Sequence, residues 1–308
     1  MTADATSAQQ QGTAGERAYL DHAATTVLRP AARDAFLEAS TAWGNPSSVH
    51  TAGRRARGVL DEALSRIAEL LGVPRSWLIM TSGGTEADNL ALRGAPLGVR
   101  AKDPARSAVA VAATDHPAVL ATARALAAGP DQFALRELPV DPRGVLRPDG
   151  IEQALADSRV GVLSAALVNN ETGAVQDIAA LAEAARAHGT LLHTDAVQAA
   201  GHVALPGSED VDLMSLSGHK IGAPVGVGVL VARPGVPFAP TSTGGGQQRG
   251  VRSGTLDAAQ AAAFAAALEE ALAEREQRSA EVRQLAARLR RGSPRRRRPS
   301  RRARGWPG

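Results

Sequence analysis

Of the 35 basic residues in this sequence only two, Lys102 and Lys220, are lysines. Arginine stays protonated and cannot form a Schiff base, so a chain that favours arginine yet keeps Lys220 directly after an apolar run points to amine chemistry there. Lys102 sits in a polar loop and is read as incidental. Around Lys220 the segment SLSGHKIGAP also supplies Ser217 and His219. Four other segments place polar groups just after apolar runs. TSGGTEADN (81–89) offers Gly84 and Thr85 at a helix start, where free N–H groups and the helix dipole favour an anion. TDHPAVL carries His116, VNNETG carries Asn169 and Asn170, and HTDAVQAAG carries Asp195 with Gln198 three residues later. Taken singly, each has an ordinary structural reading as a turn, a cap or a buried histidine.

Together they offer an anion cradle, an imidazole, an amide, a carboxylate and an amine. Pyridoxal 5′-phosphate (PLP) needs such a set: a lysine for its aldehyde, an acid beside its pyridine nitrogen and donors for its phosphate. A carboxylate next to that nitrogen keeps it protonated through the neighbouring charge.

The elements that must hold these groups follow from periodicity. Residues 56–71 (ARGVLDEALSRIAELL) put Val59, Leu60, Ala63, Leu64, Ile67, Ala68 and Leu71 on one helical face, ended by Gly72 and Pro74. Apolar runs at Trp77–Met80, Ala108–Ala112, Val160–Val168, Thr190–His193, Leu213–Leu216 and Val227–Val231 read as strands. Helices are expected at 86–93, 117–128 and 176–188 between them. This alternation predicts an α/β fold, a mostly parallel sheet with helices on both faces and ligands beyond the strands' carboxyl ends. The short Gly/Pro turn before Val227 predicts an antiparallel pair. Asp257 caps a long Ala-rich helix expected over 257–289.

Composition narrows the class. The sequence has no cysteine, which excludes disulfides and thiolate–metal sites, and no metal site is expected. No apolar run reaches 18 residues, so no membrane span is expected. Residues 1–17 are small and polar and lack the pattern of a signal peptide; they read as a disordered tail on a cytoplasmic protein. The net charge is +4, but nine arginines lie in 290–308. Taking those nine from 35 leaves 26 basic groups against 31 acidic ones in the other 289 residues, a net of −5. The basic character belongs to a tail, and no specific nucleic-acid partner is expected.

From Tyr19 to about Asp257 the chain resembles a cysteine desulfurase of the NifS/IscS type, within the class-V aminotransferases. The matching blocks are YLDHAATT (19–26), GNPSSVH (44–50), TSGGTEADN (81–89), DHPAVL (115–120), VNNETGAVQDI (168–178), HTDAVQAAG (193–201), SLSGHKIGAPVGVGVL (215–230) and GGGQQRGVRSGT (244–255). The resemblance implies a fold-type-I PLP domain over 18–256, its first segment contributing to a smaller domain that 257–289 would lead into. It implies Lys220 as the Schiff-base lysine, Asp195 at the pyridine nitrogen and Gln198 at the phenolic oxygen. His116 would stack on the ring and assist proton transfer. Gly84, Thr85, Ser217 and His219 would hold the phosphate, and Asn170 would face cofactor and substrate. Thr255 would reach the phosphate of a neighbouring subunit in a homodimer.

The implied reaction converts L-cysteine to L-alanine and passes sulfur to an acceptor protein, as in iron–sulfur cluster or thio-cofactor synthesis. Family members carry a nucleophilic cysteine and a substrate-binding arginine beyond the long helix. Here that region is an Arg/Pro-rich stretch, 290–308, of the kind a truncated or frameshifted reading frame yields, and desulfuration is expected to be impaired. Other class-V reactions (aminotransferase, selenocysteine lyase, β-elimination) remain open, as do a non-catalytic partner of an intact paralogue and a nucleic-acid binder acting through its tail.

Overall fold

In the computed structural model, which describes residues 18–292, a seven-stranded sheet runs through the molecule in the order β1-β7-β6-β5-β4-β2-β3. The strands are β1 (Leu78–Thr81), β2 (Ala108–Ala112), β3 (Ala134–Leu138), β4 (Val160–Ala166), β5 (Leu191–Asp195), β6 (Leu213–Ser217) and β7 (Gly228–Ala232). β7 lies antiparallel to both β1 and β6, and all other pairs are parallel. β1, β2, β4, β6 and β7 are buried along their whole length, the mark of strands covered on both faces. Two apolar clusters cover the two faces. One gathers Leu60, Ile67, Leu163, Leu192, Met214 and Phe264; the other gathers Ile79, Leu90, Val109, Val162 and Leu230.

The helices are α1 (Pro30–Ser40), α2 (Thr51–Leu71), α3 (Gly84–Asn89), α4 (Ala95–Lys102), α5 (Pro117–Ala128), α6 (Pro148–Leu155), α7 (Ile178–Ala187), α8 (Ala258–Ala273) and α9 (Arg275–Gly292). α2 begins five residues before the expected start, because His50 Nδ1 accepts from Gly53 N at 3.2 Å and caps it there. Gly72, at φ 64°, closes it in the left-handed conformation that glycine adopts without strain. α3 and α4 form one helical run joined by a π-turn over Leu90–Gly94. Pro96, which has no N–H to give, sits at the start of the regular stretch that follows.

Three expectations are corrected. The strand at Trp77–Met80 is shifted to Leu78–Thr81, since Trp77 belongs to a 3₁₀ turn. β3 was not expected: its sequence ALREL is half exposed at the sheet edge and so lacks an apolar run. The long helix is two helices, broken at Glu274, whose carboxylate pairs with Arg29 at 2.9 Å. Asp257 does cap α8, accepting from Ala259 N and Gln260 N. The expected tails, 1–17 and 290–308, lie outside the described residues apart from 290–292, which end α9.

Candidate functional site

The carboxyl ends of β2, β5 and β6 and the loop after β4 open into one cavity of about 470 Å³. Its walls include Gly84, Thr85, His116, Asn170, Asp195, Gln198, Ser217, His219 and Lys220. The fold therefore brings together every expected site residue except Thr255. That residue is exposed and lines a separate depression with Phe36 and Trp43.

Lys220 closes the 3₁₀ turn Gly218–Lys220 that follows β6. Its Nζ donates to Ala23 O and, at 2.9 Å, to Ala24 O. Burial lowers the ammonium's pKa, while Asp195 and Asp21 pull it back up. Asp195 ends β5, the strand hydrogen-bonded to β6, so carboxylate and amine reach the cavity from neighbouring strand ends. Burial raises the Asp195 carboxyl; the Val197 N–H, which donates to Oδ1 at 2.8 Å, and the charges of His116 and Lys220 lower it. Gln198 Nε2 donates to Ala23 O at 2.8 Å, from the same side as Lys220.

His116 caps α5. Its Nδ1 accepts from Ala118 N at 3.1 Å, which leaves Nε2 as the free ring nitrogen at the cavity. The two asparagines after β4 divide their work. Asn169 is buried and organises the loop: its Oδ1 accepts from Glu171 N, Thr172 N and Thr172 Oγ1, and its Nδ2 donates to Thr114 O. Asn170 is exposed at the rim.

The anion end is built from backbone. A Cβ on Gly84 would meet Val197 Cγ2 at 2.8 Å and Ser217 Cβ at 3.4 Å, so only glycine lets α3 start this close to β6. Ser217, Thr85 and His219 surround that helix start. Burial, then Lys220, lowers the His219 imidazole's pKa, and its Nδ1 lies 3.1 Å from Thr25 Oγ1. An amine, a carboxylate and a donor-lined helix start around one cavity match the three polar ends of PLP.

The profile of the Aminotransferase class-V family matches residues 18–292. The chain belongs to the class-V aminotransferase family. Class-V aminotransferases are PLP-dependent transferases of fold type I, and the mixed sheet described above is that fold. Among curated relatives, an IscS-like cysteine desulfurase from Mycobacterium tuberculosis is 39% identical over 265 residues, covering 85% of this chain and 67% of its own length. A cysteine desulfurase from Cereibacter sphaeroides is 45% identical over 244 residues, covering 78% of this chain and 61% of its own length. The chain thus spans about two thirds of these relatives. A solved NifS-like protein superposes with a TM-score of 0.84 at 31% identity, covering 90% of this chain and 75% of that one. The chain is a class-V protein of the cysteine desulfurase type.

Sequence reasoning assigned no role to Asp21, Asp88, Glu171 or Val197, all of which line the cavity. Asp88 carried a usable signal: it stands three residues after Thr85, on the same face of one helix.

Proposed function

We propose that this chain is a PLP-binding domain of cysteine desulfurase descent in which Lys220 holds the cofactor. The observation that carries this reading is the placement of the Lys220 amine and the Asp195 carboxylate on adjacent strand ends facing one cavity. Bound there, PLP would supply an aldehyde for amines and a protonated ring that withdraws electrons from the substrate's Cα.

The chain's own residues do the rest. Burial favours the neutral, nucleophilic form of Lys220. Asp195 would hold the proton at the pyridine nitrogen, and Gln198 would orient the phenolic oxygen. Gly84, Thr85, Ser217 and His219 would bind the phosphate. His116, with Nε2 free, would cover the ring and move a proton, and Asn170 would meet the substrate. Thr255, exposed and away from its own chain's cavity, would serve a second copy. The exposed Trp43 (77%) and Val49 (86%) are apolar surface that a homodimer would cover.

L-cysteine is the proposed substrate, following the relatives' chemistry. The 308 residues contain no cysteine, so this chain holds no thiolate to receive the sulfur as a protein persulfide. Nor is any cavity-lining group among the described residues an arginine able to fork onto the substrate carboxylate. The same absence favours a second reading, β-elimination or another class-V reaction that needs no protein thiol. On either reading, borohydride should fix PLP covalently to the native chain and fail to fix it to Lys220→Ala. Equal fixation in both proteins would move the lysine role elsewhere.

A further inference from the structure

Beneath the cavity floor runs a row of polar groups that the proposed chemistry leaves unused. Ser164 of β4, His193 of β5 and Ser215 of β6 are fully buried. His193 Nδ1 lies 2.9 Å from Ser164 Oγ, and its Nε2 lies 2.9 Å from Ser215 Oγ. On the cavity side stands Asp88, 1% exposed, whose Oδ1 comes within 3.7 Å of His193 Nε2 and has no hydrogen-bond partner. On the other side Asp115 Oδ1 accepts from Ala166 N at 2.9 Å, while its buried Oδ2 is unpartnered.

Three carboxyls, Asp88, Asp115 and Asp195, therefore share one layer out of water, where an ionised carboxylate needs a cation or several N–H donors. His193 supplies no charge. Burial pushes its imidazole down to about 3, so its approach to Asp88 is not an ion pair. Of the three, Asp195 has the Lys220 charge beside it as well as the Val197 N–H, whereas Asp115 has only neutral donors, the Ala166 N–H among them. Asp88 faces two carboxyls of its own sign, Asp195 and Asp115, and the Ser215 hydroxyl.

We propose that Asp88 is a positioning residue held as a neutral carboxylic acid, so that the layer under the cavity carries its negative charge on Asp195 alone. Its carboxyl faces the serine–histidine row, with Oδ1 3.7 Å from His193 Nε2, and its neutrality keeps a competing charge away from the ring nitrogen that Asp195 is proposed to serve. The direction of its titration agrees: burial, then Asp195, pushes Asp88 well above the usual carboxylate range. The inference rests on the proposed role of Asp195, but its test does not use the cofactor.

Urea unfolding of the cofactor-free chain and of Asp88→Asn, across a pH series, decides the matter. An acid that is neutral when folded ionises on unfolding, at about 3.9. The stability associated with it is complete below that value and is lost as pH rises toward its folded pKa. Asparagine does not titrate. The ratio of folding constants, variant over native, should therefore rise about tenfold per pH unit above about 4. A purely steric effect would move the ratio equally at every pH, so a ratio flat in pH overturns the proposal. Should the variant not fold, carbon-13 spectra of aspartate-labelled native chain give a second reading. Two buried carboxyl signals should keep the neutral-acid shift at neutral pH, and their absence overturns the proposal. Failure of the native chain to bind PLP would remove the cofactor reading without affecting either measurement.

Discussion

On the outer faces of the molecule arginines meet acids in pairs, whereas under the cavity acids are buried without one. Arg66 lies between Glu69 and Glu269, Arg124 forks onto Glu137, and Arg136 and Arg159 share Asp157. The exposed pairs exchange water for a partner at little net gain. Asp88, Asp115 and His193 instead sit in the interior, shifted in the direction that removes charge. Such groups cost stability, and retaining them at a cavity is the signature of a site built for chemistry. The difference teaches where this protein accepts electrostatic cost. It does so around the cavity, at Asp88 of α3, Asp115 after β2 and His193 of β5.

The contrast can be broken most severely at His116. In PLP-loaded chain, His116→Ala should slow deuterium exchange at the Cα of added amino acids by about 10²–10⁴, the usual contribution of a positioned acid–base group. With the α5 cap the variant should also lose about 1 kcal/mol of stability. Unchanged exchange by NMR would leave His116 with only its capping bond.

A second test sharpens the buried side. Burial pushes Asp115 up to about 8. Its contribution is complete below the unfolded value of about 3.9 and lost as pH rises through about 8. Asp115→Asn keeps an acceptor for the Ala166 N–H and does not titrate. In urea melts its folding constant, relative to the native chain, should climb about tenfold per pH unit between about 4 and 8. A difference independent of pH would show that Asp115 is ionised when folded.

The smallest effects separate one partly buried arginine from the exposed ones. Arg29 is 14% exposed and ties three elements together: it donates to Ile221 O at 2.8 Å, to Glu270 at 3.1 Å and to Glu274 at 2.9 Å. Arg29→Ala should cost about 2 kcal/mol, most of it from the lost charged hydrogen bonds. Arg66→Ala, with two ion pairs at the surface, should leave the same urea melts unmoved. Equal losses in the two variants would show that burial of Arg29 adds nothing.

Much of the frame was legible beforehand because its signals are local. β2 and α5 lie at the expected residues, and β7 pairs antiparallel with β6 after its short turn. β3 was not legible, because an edge strand carrying the charged, partly exposed Arg136 and Glu137 has no apolar run to read. α1 was missed for a similar reason: it buries only Ala32 and Ala39, so its apolar face is faint. Within the site, Lys220 stood out by composition and Gly84 by its place in a glycine turn. The separate roles of Asn169 and Asn170 were invisible, since adjacent asparagines differ only in what the folded loop offers each. His193 lies two residues before Asp195 on the same face of β5, yet its partners come from β4 and β6.

By itself the sequence determined the alternation of strands and helices, the caps at Gly72 and Asp257, and a chemical inventory in which one lysine outside a polar loop stands among arginines. It also determined that these 308 residues hold no thiol, since composition alone decides that. Caps and periodicity act over a few residues and are written in the chain. Only the tertiary structure decided that β5 lies beside β6, which sets Asp195 next to Lys220, and that Thr255 stays out of its own chain's cavity. It alone decided the direction in which burial shifts Asp88, Asp115 and His193. Burial and the charges of distant neighbours set a pKa, and both are properties of the assembled sheet rather than of any segment.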